Sequence, residues 1–401
     1  SSPPPTHRTL NLLSSLFFAA NIASLVTLSP LADSAGRRPV VVWAFVVALA
    51  ANIATFAAGS MWVVLASRIV AGGATGVCYN TVVVSAIEFS VPRLRAFVKA
   101  GLGMAWSTGI LLCVGLAYGL DGVSWRWMGV PLNLAQAVVL GLVVALFPES
   151  PRFLLLQGRT DDLMKLMQNV AMVNGAELEM NDNMSEFAAP PPPKQRHQPS
   201  ISAMELAHPS IARVTIVIGL AQFSCGLMYY VILEYASNSV HKYAAAAEGA
   251  LVEIPVSFLI PAVTNYIGRK GALKVLFSVA TFGLVGVICF GESDSPAAAI
   301  FPLIVRFSGH GLSTVMYIFA AESFPTSCRN IGVSWGNTCG KTGGLVSEMF
   351  VAALPRVYFE VLAALNVASI LSLAYIEESA GKTMAETPEQ EPVMTMDVTE
   401  L

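Results

Sequence analysis

The motif Asp33-Ser-Ala-Gly36-Arg37-Arg38 occurs a second time as Asn265-Tyr-Ile-Gly268-Arg269-Lys270. Each copy has a polar residue three positions before a glycine and two basic residues directly after that glycine. Because both copies lie between long apolar stretches, they are expected to form short loops at a membrane surface. A motif repeated at this distance indicates that the chain consists of two related halves.

Two further motifs recur in the same order. Glu88 and Glu322 are each followed seven residues later by an arginine, Arg95 and Arg329. Three motifs in register are very unlikely to arise by chance, and they strengthen the prediction of two similar halves. The third pair consists of Pro148-Glu149-Ser150-Pro151-Arg152 and Glu378-Ser379-Ala380-Gly381-Lys382.

The composition is that of a membrane protein. Hydrophobic residues make up 55% of the 401 residues and charged residues 12%, whereas soluble domains are about a quarter charged. Runs such as residues 40–58 and 271–290 are long enough to cross a bilayer. The sequence therefore predicts an all-α membrane protein of two pseudo-symmetric helical bundles. About eleven spans are predicted, near residues 10–30, 40–59, 62–86, 98–119, 128–147, 212–233, 244–264, 272–291, 298–320, 331–353 and 357–376.

A polar segment separates the two halves. It runs from Pro148 to Pro209 and contains four consecutive prolines at 190–193, which cannot continue a helix. We predict a linker that is partly helical near residues 160–173 and disordered near residues 178–200. The predicted domains are an N-terminal bundle at 1–147, a cytoplasmic linker at 148–210, a C-terminal bundle at 211–376 and a cytoplasmic tail at 377–401.

The distribution of basic residues predicts the orientation. Along the alternating path of the spans, one side carries many more lysines and arginines than the other, and that side is cytoplasmic. The linker and the C-terminus are then inside, and the N-terminus is outside. The cytoplasmic set comprises Arg37, Arg38, Arg93, Arg95, Lys99, Arg152, Arg159, Lys165, Lys194, Arg196, Arg269, Lys270, Lys274, Arg329 and Lys382.

The repeat also predicts that the first helix of the N-terminal half is missing from this chain. Two predicted spans precede Asn265 in the second half, whereas a single span precedes Asp33 in the first. An N-terminal truncation would account for the extracellular N-terminus. The alternative is a protein that genuinely has eleven spans.

The motifs resemble those of the major facilitator superfamily over the whole chain. Within it, the chain is most similar to the organic cation/organic anion transporter family. Sugar porters share several of the motifs, but their glutamine-rich motif on the seventh family helix does not occur in this sequence. Departures at Ser29, Ser34 and Asn265 affect the expected gating rather than the fold. The resemblance is carried by Glu88-Phe-Ser-Val-Pro-Arg-Leu-Arg95, Pro148-Glu-Ser-Pro-Arg152, Glu253-Ile-Pro255 and Ala321-Glu-Ser-Phe-Pro-Thr-Ser-Cys-Arg-Asn330.

The resemblance implies that the repeated motif residues gate the cytoplasmic entrance. A carboxylate and a guanidinium can hold two halves together while the inner gate is closed. The alternative is that the arginines only anchor the topology. The predicted gating residues are Asp33, Gly36, Arg37, Arg38, Glu88, Arg95, Glu149, Arg152, Gly268, Arg269, Glu322, Arg329 and Glu378.

Charged residues at membrane depth are functional candidates by default, because a lone charge there costs about 2.5–3.5 kcal/mol or more. Arg68 lies in Arg68-Ile-Val-Ala-Gly72, and the family pattern implies a role in coupling or helix contact. The alternative is that its side chain extends to the outer surface. Arg306 and His310 lie one turn apart, and His310 is either a packed, hydrogen-bonded residue or a proton relay.

Lys341 is the main candidate for substrate binding. It lies in Asn337-Thr-Cys-Gly-Lys341-Thr-Gly-Gly344. In the resembled family the residue at this place faces the cavity, where cation carriers tend to have Asp and anion carriers Arg. A basic residue attracts anions far more strongly in a low-dielectric cavity than in water. Alternatives stay open, because Glu348 could pair with Lys341 and because Ser257 stands where anion carriers often have a second basic residue.

Four aromatic residues complete the predicted substrate site. Tyr229 and Tyr230 match a pair on the seventh family helix, and Tyr317 matches an aromatic residue on the tenth. Trp106 is a less specific candidate. Amphipathic rings suit flat, partly apolar organic ions, although each ring could equally serve in helix packing.

The sequence thus predicts a secondary transporter of the plasma membrane that moves small organic ions, with anions favoured, by alternating access. Organic cation or sugar transport is the alternative within this class, and a truncated, non-transporting protein is the alternative outside it. The expected partners are the lipid bilayer, the organic ion and a coupling ion or exchange anion. The net charge of -3 gives no reason to expect nucleic acid. No catalytic, metal-ligating or phosphate-binding pattern stands out, so neither an enzyme nor a cofactor is predicted.

Overall fold

The computed structural model describes residues 7–90, 94–175, 206–209, 211–237, 242–291, 297–324, 329–350 and 355–378. The predicted disordered stretch near 178–200 lies outside these residues. The helices are α1 (His7–Thr27), α2 (Ser29–Ala35), α3 (Arg37–Ala57), α4 (Met61–Phe89), α5 (Arg95–Gly119), α6 (Gly129–Leu146), α7 (Pro151–Leu156), α8 (Thr160–Asn174), α9 (Ala212–Ser237), α10 (Lys242–Ile267), α11 (Arg269–Phe290), α12 (Ala297–Ser323), α13 (Arg329–Phe350) and α14 (Pro355–Ser372). Single 3₁₀ turns occur at Trp125–Met128 and Leu373–Tyr375.

Nine helices among the described residues are long and apolar enough to cross a membrane. They are α3, α4, α5, α6 with its preceding 3₁₀ turn, α9, α10, α11, α12 and α14. The other two predicted spans correspond to α1, whose apolar part is the shorter stretch Leu12–Thr27, and to α13. Helix α13 is more polar because it contains Asn337, Lys341 and Thr342. These spans confirm the predicted all-α membrane fold.

The two copies of the first motif form the same junction between helices. Gly36 joins α2 to α3 with a φ of 102°, and Gly268 joins α10 to α11 with a φ of 77°. Both values lie in the left-handed region, which glycine adopts readily and other residues rarely do. A Cβ would also be obstructed there, because it would lie 2.5 Å from Glu149 Oε2 in the first copy and 2.7 Å from Glu378 Oε2 in the second.

The N-terminal half (α1 to α6) and the C-terminal half (α9 to α14) meet along two seams. Helix α5 packs against α10 and α12, and α1 packs against α13. Within the halves, α4 packs on α1 and α3, and α9 packs on α12 and α13. A hydrogen bond also crosses between the halves, from Asn80 Nδ2 to Ser334 Oγ at 3.2 Å. Side chains of α1, α4, α5, α9, α10, α12 and α13 can therefore line a site between the halves.

Glycines allow the closest helix crossings. Where α9 crosses α13, a Cβ on Gly226 would collide with the backbone oxygen of Gly340. Where α1 crosses α4, a Cβ on Gly72 would collide with the backbone oxygen of Phe17. Small residues permit such approaches inside a membrane, where van der Waals packing rather than the hydrophobic effect drives helix association.

We expect Gly226→Ala to destabilise the protein. Because the added Cβ meets backbone, α9 and α13 must separate, and the expected loss of stability is about 1–3 kcal/mol. Gly109→Ala is the matched control, since a Cβ at Gly109 meets no heavy atom within 4 Å. Thermal unfolding of the detergent-purified variants measures the effect. Equal unfolding midpoints for the two variants would contradict the close crossing of α9 and α13.

Candidate functional site

Arg37 joins the three motifs of the N-terminal half. Its Nη2 lies 3.3 Å from Glu88 Oε1, and its Nη1 donates to the backbone oxygen of Ala32 at 3.1 Å. Its backbone N–H donates to Glu149 Oε1 at 2.7 Å, so a carboxylate caps the start of α3, where negative charge is favourable. Ser150 Oγ donates to Glu88 Oε2 at 2.5 Å. The first, second and third motifs are thus one hydrogen-bonded cluster.

The C-terminal half repeats this cluster. Arg269 Nη2 donates to Glu322 Oε1 at 3.3 Å, and Arg269 Nε lies 3.2 Å from Glu322 Oε2. Arg269 Nη1 donates to the backbone oxygen of Thr264 at 3.2 Å. The backbone N–H of Arg269 donates to Glu378 Oε1 at 2.9 Å. In both halves the arginine therefore contacts the carbonyl five residues before it, the glutamate of the second motif and the glutamate of the third.

The structure places the described gating candidates in two clusters, one in each half. Arg38 extends the first cluster, since its backbone N–H approaches Glu149 and its Nη2 donates to the backbone oxygen of Val144 at 2.8 Å. Contact between the halves through the gating residues stays a prediction. The side chains of four gating candidates lie outside the described residues: Asp33, Arg95, Arg152 and Arg329.

Arg68 contacts α1 rather than a carboxylate in the described part of the chain. Its guanidinium carbon lies 5.5 Å from the ring centroid of Phe17. Gly72, one turn further along α4, makes the close crossing with the same residue of α1. The Arg68-x-x-x-Gly72 pattern therefore joins α4 to α1 in this structure, while a role of Arg68 in coupling stays a prediction.

Because the two capping glutamates have equivalent contacts, we expect Glu149→Gln and Glu378→Gln to have similar effects. Each change removes a negative charge from a helix start and weakens charge-assisted hydrogen bonds, with an expected loss of about 1–2 kcal/mol. Thermal unfolding of the purified variants measures the loss, with Glu360→Gln at an exposed position as the control. A loss in one half alone would contradict the structural equivalence of the two clusters.

Lys341 lies at the seam between α1 and α13. Its Nζ donates to the Tyr230 hydroxyl at 3.0 Å and lies 5.9 Å from the ring centroid of Phe18. Phe18, which belongs to the N-terminal half, packs edge to face on Tyr230 with 4.8 Å between ring centroids. Among the described side chains, no carboxylate lies within ion-pair distance of Lys341. The Glu348 side chain is outside that set, so its pairing with Lys341 stays a prediction.

A second lysine approaches from the other half. Lys99 on α5 is 3% exposed, and its Nζ donates to the Tyr79 hydroxyl at 3.3 Å and lies 4.5 Å from the ring centroid of Tyr317. The rings of Tyr79 and Tyr317 pack edge to face, with 6.3 Å between their centroids. The charge pattern of the sequence placed Lys99 among the cytoplasmic flanking residues. The structure adds that its side chain is buried between the halves, one turn after Arg95, while its position on the cytoplasmic side stays a prediction.

Glu253 on α10 is 0% exposed and lies at the seam with α5. Its Oε1 accepts a hydrogen bond from the Tyr229 hydroxyl at 3.1 Å and lies 2.7 Å from Arg306 Nη2. Its Oε2 accepts from Ser107 Oγ at 2.7 Å and lies 3.4 Å from His310 Nδ1. Since Ser107 belongs to α5, both halves share this carboxylate. In the sequence, Glu253 stood out only as part of the motif Glu253-Ile-Pro255, which resembles the family. The sequence analysis did not predict that Glu253 lies between the halves.

Trp106 and Tyr229 link the Glu253 cluster to the other aromatic residues. Trp106, which is half-exposed, donates from Nε1 to the Tyr229 hydroxyl at 3.0 Å. The rings of Tyr229 and Tyr230 are perpendicular, with centroids 5.5 Å apart. Tyr229 and Tyr230 thus connect Glu253 at one end with Lys341 at the other.

The interior between the halves carries an excess of positive charge. Arg306 is 2% exposed, and its Nε and Nη1 have no hydrogen-bond partner among the described residues. The described part of the seams thus contains three buried or half-buried cations, Lys99, Lys341 and Arg306, and one buried carboxylate, Glu253, which pairs with Arg306. Since a charge in a low-dielectric site is screened much less than in water, this excess can attract an anion.

Comparisons with known proteins agree with this fold. The model of the sugar (and other) transporter family matches residues 3–390. The chain is 24% identical to organic anion transporter 3 of Oryctolagus cuniculus over 94% of this chain and 70% of that protein. It is 26% identical to the organic cation transporter protein of Drosophila melanogaster, again over 94% of this chain and 70% of that protein.

Two solved structures show the same architecture. The proton:xylose symporter XylE from E. coli superposes with a TM-score of 0.75 at 14% identity, over 95% of this chain and 88% of that one. The human organic anion transporter MFSD10 (TETRAN) superposes with a TM-score of 0.64 at 17% identity, over 90% of this chain and 83% of that one. At these identities the likeness establishes the fold alone.

The fold is that of a polytopic membrane protein with the two-bundle architecture of these solved structures. The chain belongs to the sugar (and other) transporter family. Its relatives are transporters rather than enzymes, and it is an integral membrane protein. The predicted superfamily and the predicted similarity to organic cation and organic anion transporters are thereby confirmed.

Proposed function

We propose that the protein carries small organic anions across the plasma membrane by alternating access. The observation that supports this most is the pair Lys99 and Lys341, which have tyrosine partners but no carboxylate partner among the described residues. An uncompensated charge away from water is costly. A substrate anion between the halves would supply the missing negative charge.

The surroundings of the two lysines favour an anion with a flat apolar body. Lys99 lies beside the rings of Tyr79 and Tyr317, and Lys341 lies beside those of Phe18 and Tyr230. Aromatic faces and edges bind planar apolar groups, while a few polar groups fix the orientation of the ligand. An aryl sulfonate or aryl carboxylate combines the two properties that this lining would recognise.

The two lysines also suggest how binding would drive the transport cycle. Lys99 is on α5 of the N-terminal half, and Lys341 is on α13 of the C-terminal half. An anion that contacts both would stabilise the arrangement in which the halves are close together. A ligand shifts a conformational equilibrium by its differential affinity for the two states, so release of the anion would favour separation of the halves on one side.

The same contacts favour anions over the two alternative substrates. An organic cation would need a carboxylate with a free oxygen, whereas both oxygens of Glu253, the carboxylate buried at the described part of the seams, have partners within the protein. Oε1 lies 2.7 Å from Arg306 Nη2, and Oε2 lies beside Ser107 and His310. An uncharged sugar would leave Lys99 and Lys341 without a counter-charge. Similarity to a proton:xylose symporter concerns the fold and does not favour a sugar.

Uptake by cells that express the full-length protein tests the proposal. We expect saturable uptake of 2-naphthalenesulfonate, an aryl sulfonate, above that of cells with an empty vector. Labelled tetraethylammonium and labelled xylose serve as the cationic and sugar probes. Saturable uptake of either of these without uptake of the sulfonate would overturn the anion assignment.

A further inference from the structure

His310 on α12 is held by hydrogen-bonding groups on both of its ring nitrogens. Nδ1 lies 3.4 Å from Glu253 Oε2, and Nε2 lies 3.0 Å from Ser257 Oγ. Ser257 Oγ also lies 3.3 Å from the backbone oxygen of Glu253, to which it can donate. His310 is 4% exposed, so these partners replace water around the ring.

This arrangement satisfies the imidazole in both of its protonation states. In the neutral tautomer that carries its hydrogen on Nδ1, this hydrogen lies on the side of the Glu253 carboxylate, and Nε2 accepts from the Ser257 hydroxyl. When a proton binds at Nε2, the ring donates to Ser257 Oγ, and the hydroxyl hydrogen rotates to the Glu253 backbone oxygen. Rotation of one hydroxyl is therefore sufficient for His310 to gain or lose a proton, since a hydroxyl can both donate and accept.

One of the surrounding charges favours a proton bound at His310, and the nearby cations oppose it. The Glu253 carboxylate is the counter-charge, and Arg306, one turn away on the same helix, competes for it. Helix α11 presents no charged side chain between Val275 and Phe290. On α5, the buried cation Lys99 lies one turn before Gly103. Further titratable or polar groups on the packed helices include Cys225, Tyr229 and Tyr230 of α9, Ser107 of α5, Tyr317 of α12 and Lys341 of α13.

The N-terminal half closes this site. Gly103 of α5 lies against the imidazole so closely that a Cβ there would be 2.8 Å from Nε2. Ser107, one turn further along α5, donates to the Glu253 carboxylate. When α5 moves away from α10 and α12, the imidazole loses its cover and the carboxylate loses a donor. Water, and with it a proton, could then reach His310 from the side that opens.

We propose that His310, with Glu253 as its counter-charge, is a proton-binding site and that the protein couples proton movement to substrate transport. This proposal rests on the proposed anion transport, and it assigns the coupling ion. A proton taken up at Nε2 on one side is released from Nε2 on the other side. Together with a monovalent anion, the bound proton makes the transported charge zero, so the proton gradient alone can drive accumulation of the anion.

The test is uptake of 2-naphthalenesulfonate into proteoliposomes that contain the full-length protein. An imposed inward proton gradient of one pH unit is expected to raise steady-state accumulation by up to about tenfold, and a protonophore should abolish the increase. The His310→Gln variant retains hydrogen-bonding groups, but an amide side chain cannot take up a proton near neutral pH. This variant should therefore lose the response to the gradient. His208→Gln, at an exposed position, is the matched control and should keep the response.

Two results would overturn the proton site while leaving the anion proposal intact. One is sulfonate uptake that does not respond to the gradient, and the other is a response that persists in His310→Gln.

If the wild-type protein takes up no sulfonate, the anion proposal fails, and a second measurement tests the proton site. Infrared difference spectra of the purified protein, recorded between about pH 5 and pH 8, show whether His310 takes up a proton. Imidazole bands that are lost in His310→Gln but kept in His208→Gln would support it. Spectra unchanged by His310→Gln would overturn it.

Discussion

Lys341→Ala is expected to abolish most uptake of 2-naphthalenesulfonate while the protein still reaches the cell surface. The Lys341 ammonium lies among Tyr230 and Phe18, where a charge attracts an anion much more strongly than it would in water. Loss of such a contact costs about 2 kcal/mol or more, so affinity for the sulfonate should fall at least about 30-fold. Lys341→Asp should lose sulfonate uptake as well, and should gain tetraethylammonium uptake because the sign of the local field is reversed.

Two control variants separate the charge of Lys341 from its packing. Lys341→Arg keeps the charge and should retain a substantial part of the uptake. Lys165→Ala removes a lysine at an exposed position on α8 and should leave uptake unchanged. If Lys341→Ala and Lys341→Asp both transport the sulfonate at the wild-type rate, Lys341 is a structural residue, and pairing with Glu348 becomes the better explanation.

Glu253→Gln is expected to cause a large loss of stability. The substitution leaves the Arg306 guanidinium buried without its counter-charge, and breaking a buried ion pair from one side typically costs about 3–5 kcal/mol. The double variant Glu253→Gln/Arg306→Met should regain most of the loss, because it removes both charges from the same buried site. Thermal unfolding of the purified proteins measures both effects.

Glu360→Gln, at an exposed position, controls for the loss of a carboxylate as such. The buried ion pair would be contradicted if Glu253→Gln unfolded at the wild-type temperature. It would also be contradicted if Arg306→Met restored no stability to Glu253→Gln, since the cost of Glu253→Gln would then not come from an uncompensated guanidinium.

The repeated motifs predicted the parts of the structure that depend on local sequence. Gly36 and Gly268 both adopt the positive φ that their place between helices requires. Arg37 and Arg269 both contact the glutamates of the second and third motifs. These features were accessible because a helix boundary, its glycine and its capping carboxylate recur at matched spacings in both halves.

The contacts between the two halves could not be predicted from local sequence. Lys99 follows a group of basic residues, and its charge alone could not distinguish an interior lysine from a flanking one. The hydrogen bond between Ser107 and Glu253 joins residues far apart in sequence, and it depends on how α5 packs against α10. Serine is common in membrane helices, so nothing in the local pattern marked Ser107 as the partner of a buried carboxylate.

Equilibrium binding of 2-naphthalenesulfonate to the purified full-length protein, followed by calorimetry, tests most directly whether Lys99 and Lys341 form an anion site between the halves. We expect saturable binding by the wild-type protein, and affinities at least about 30-fold weaker in both Lys99→Gln and Lys341→Gln. Lys165→Gln should bind as the wild type does. Equal affinities in all four proteins, or binding of tetraethylammonium in place of the sulfonate, would contradict the anion site.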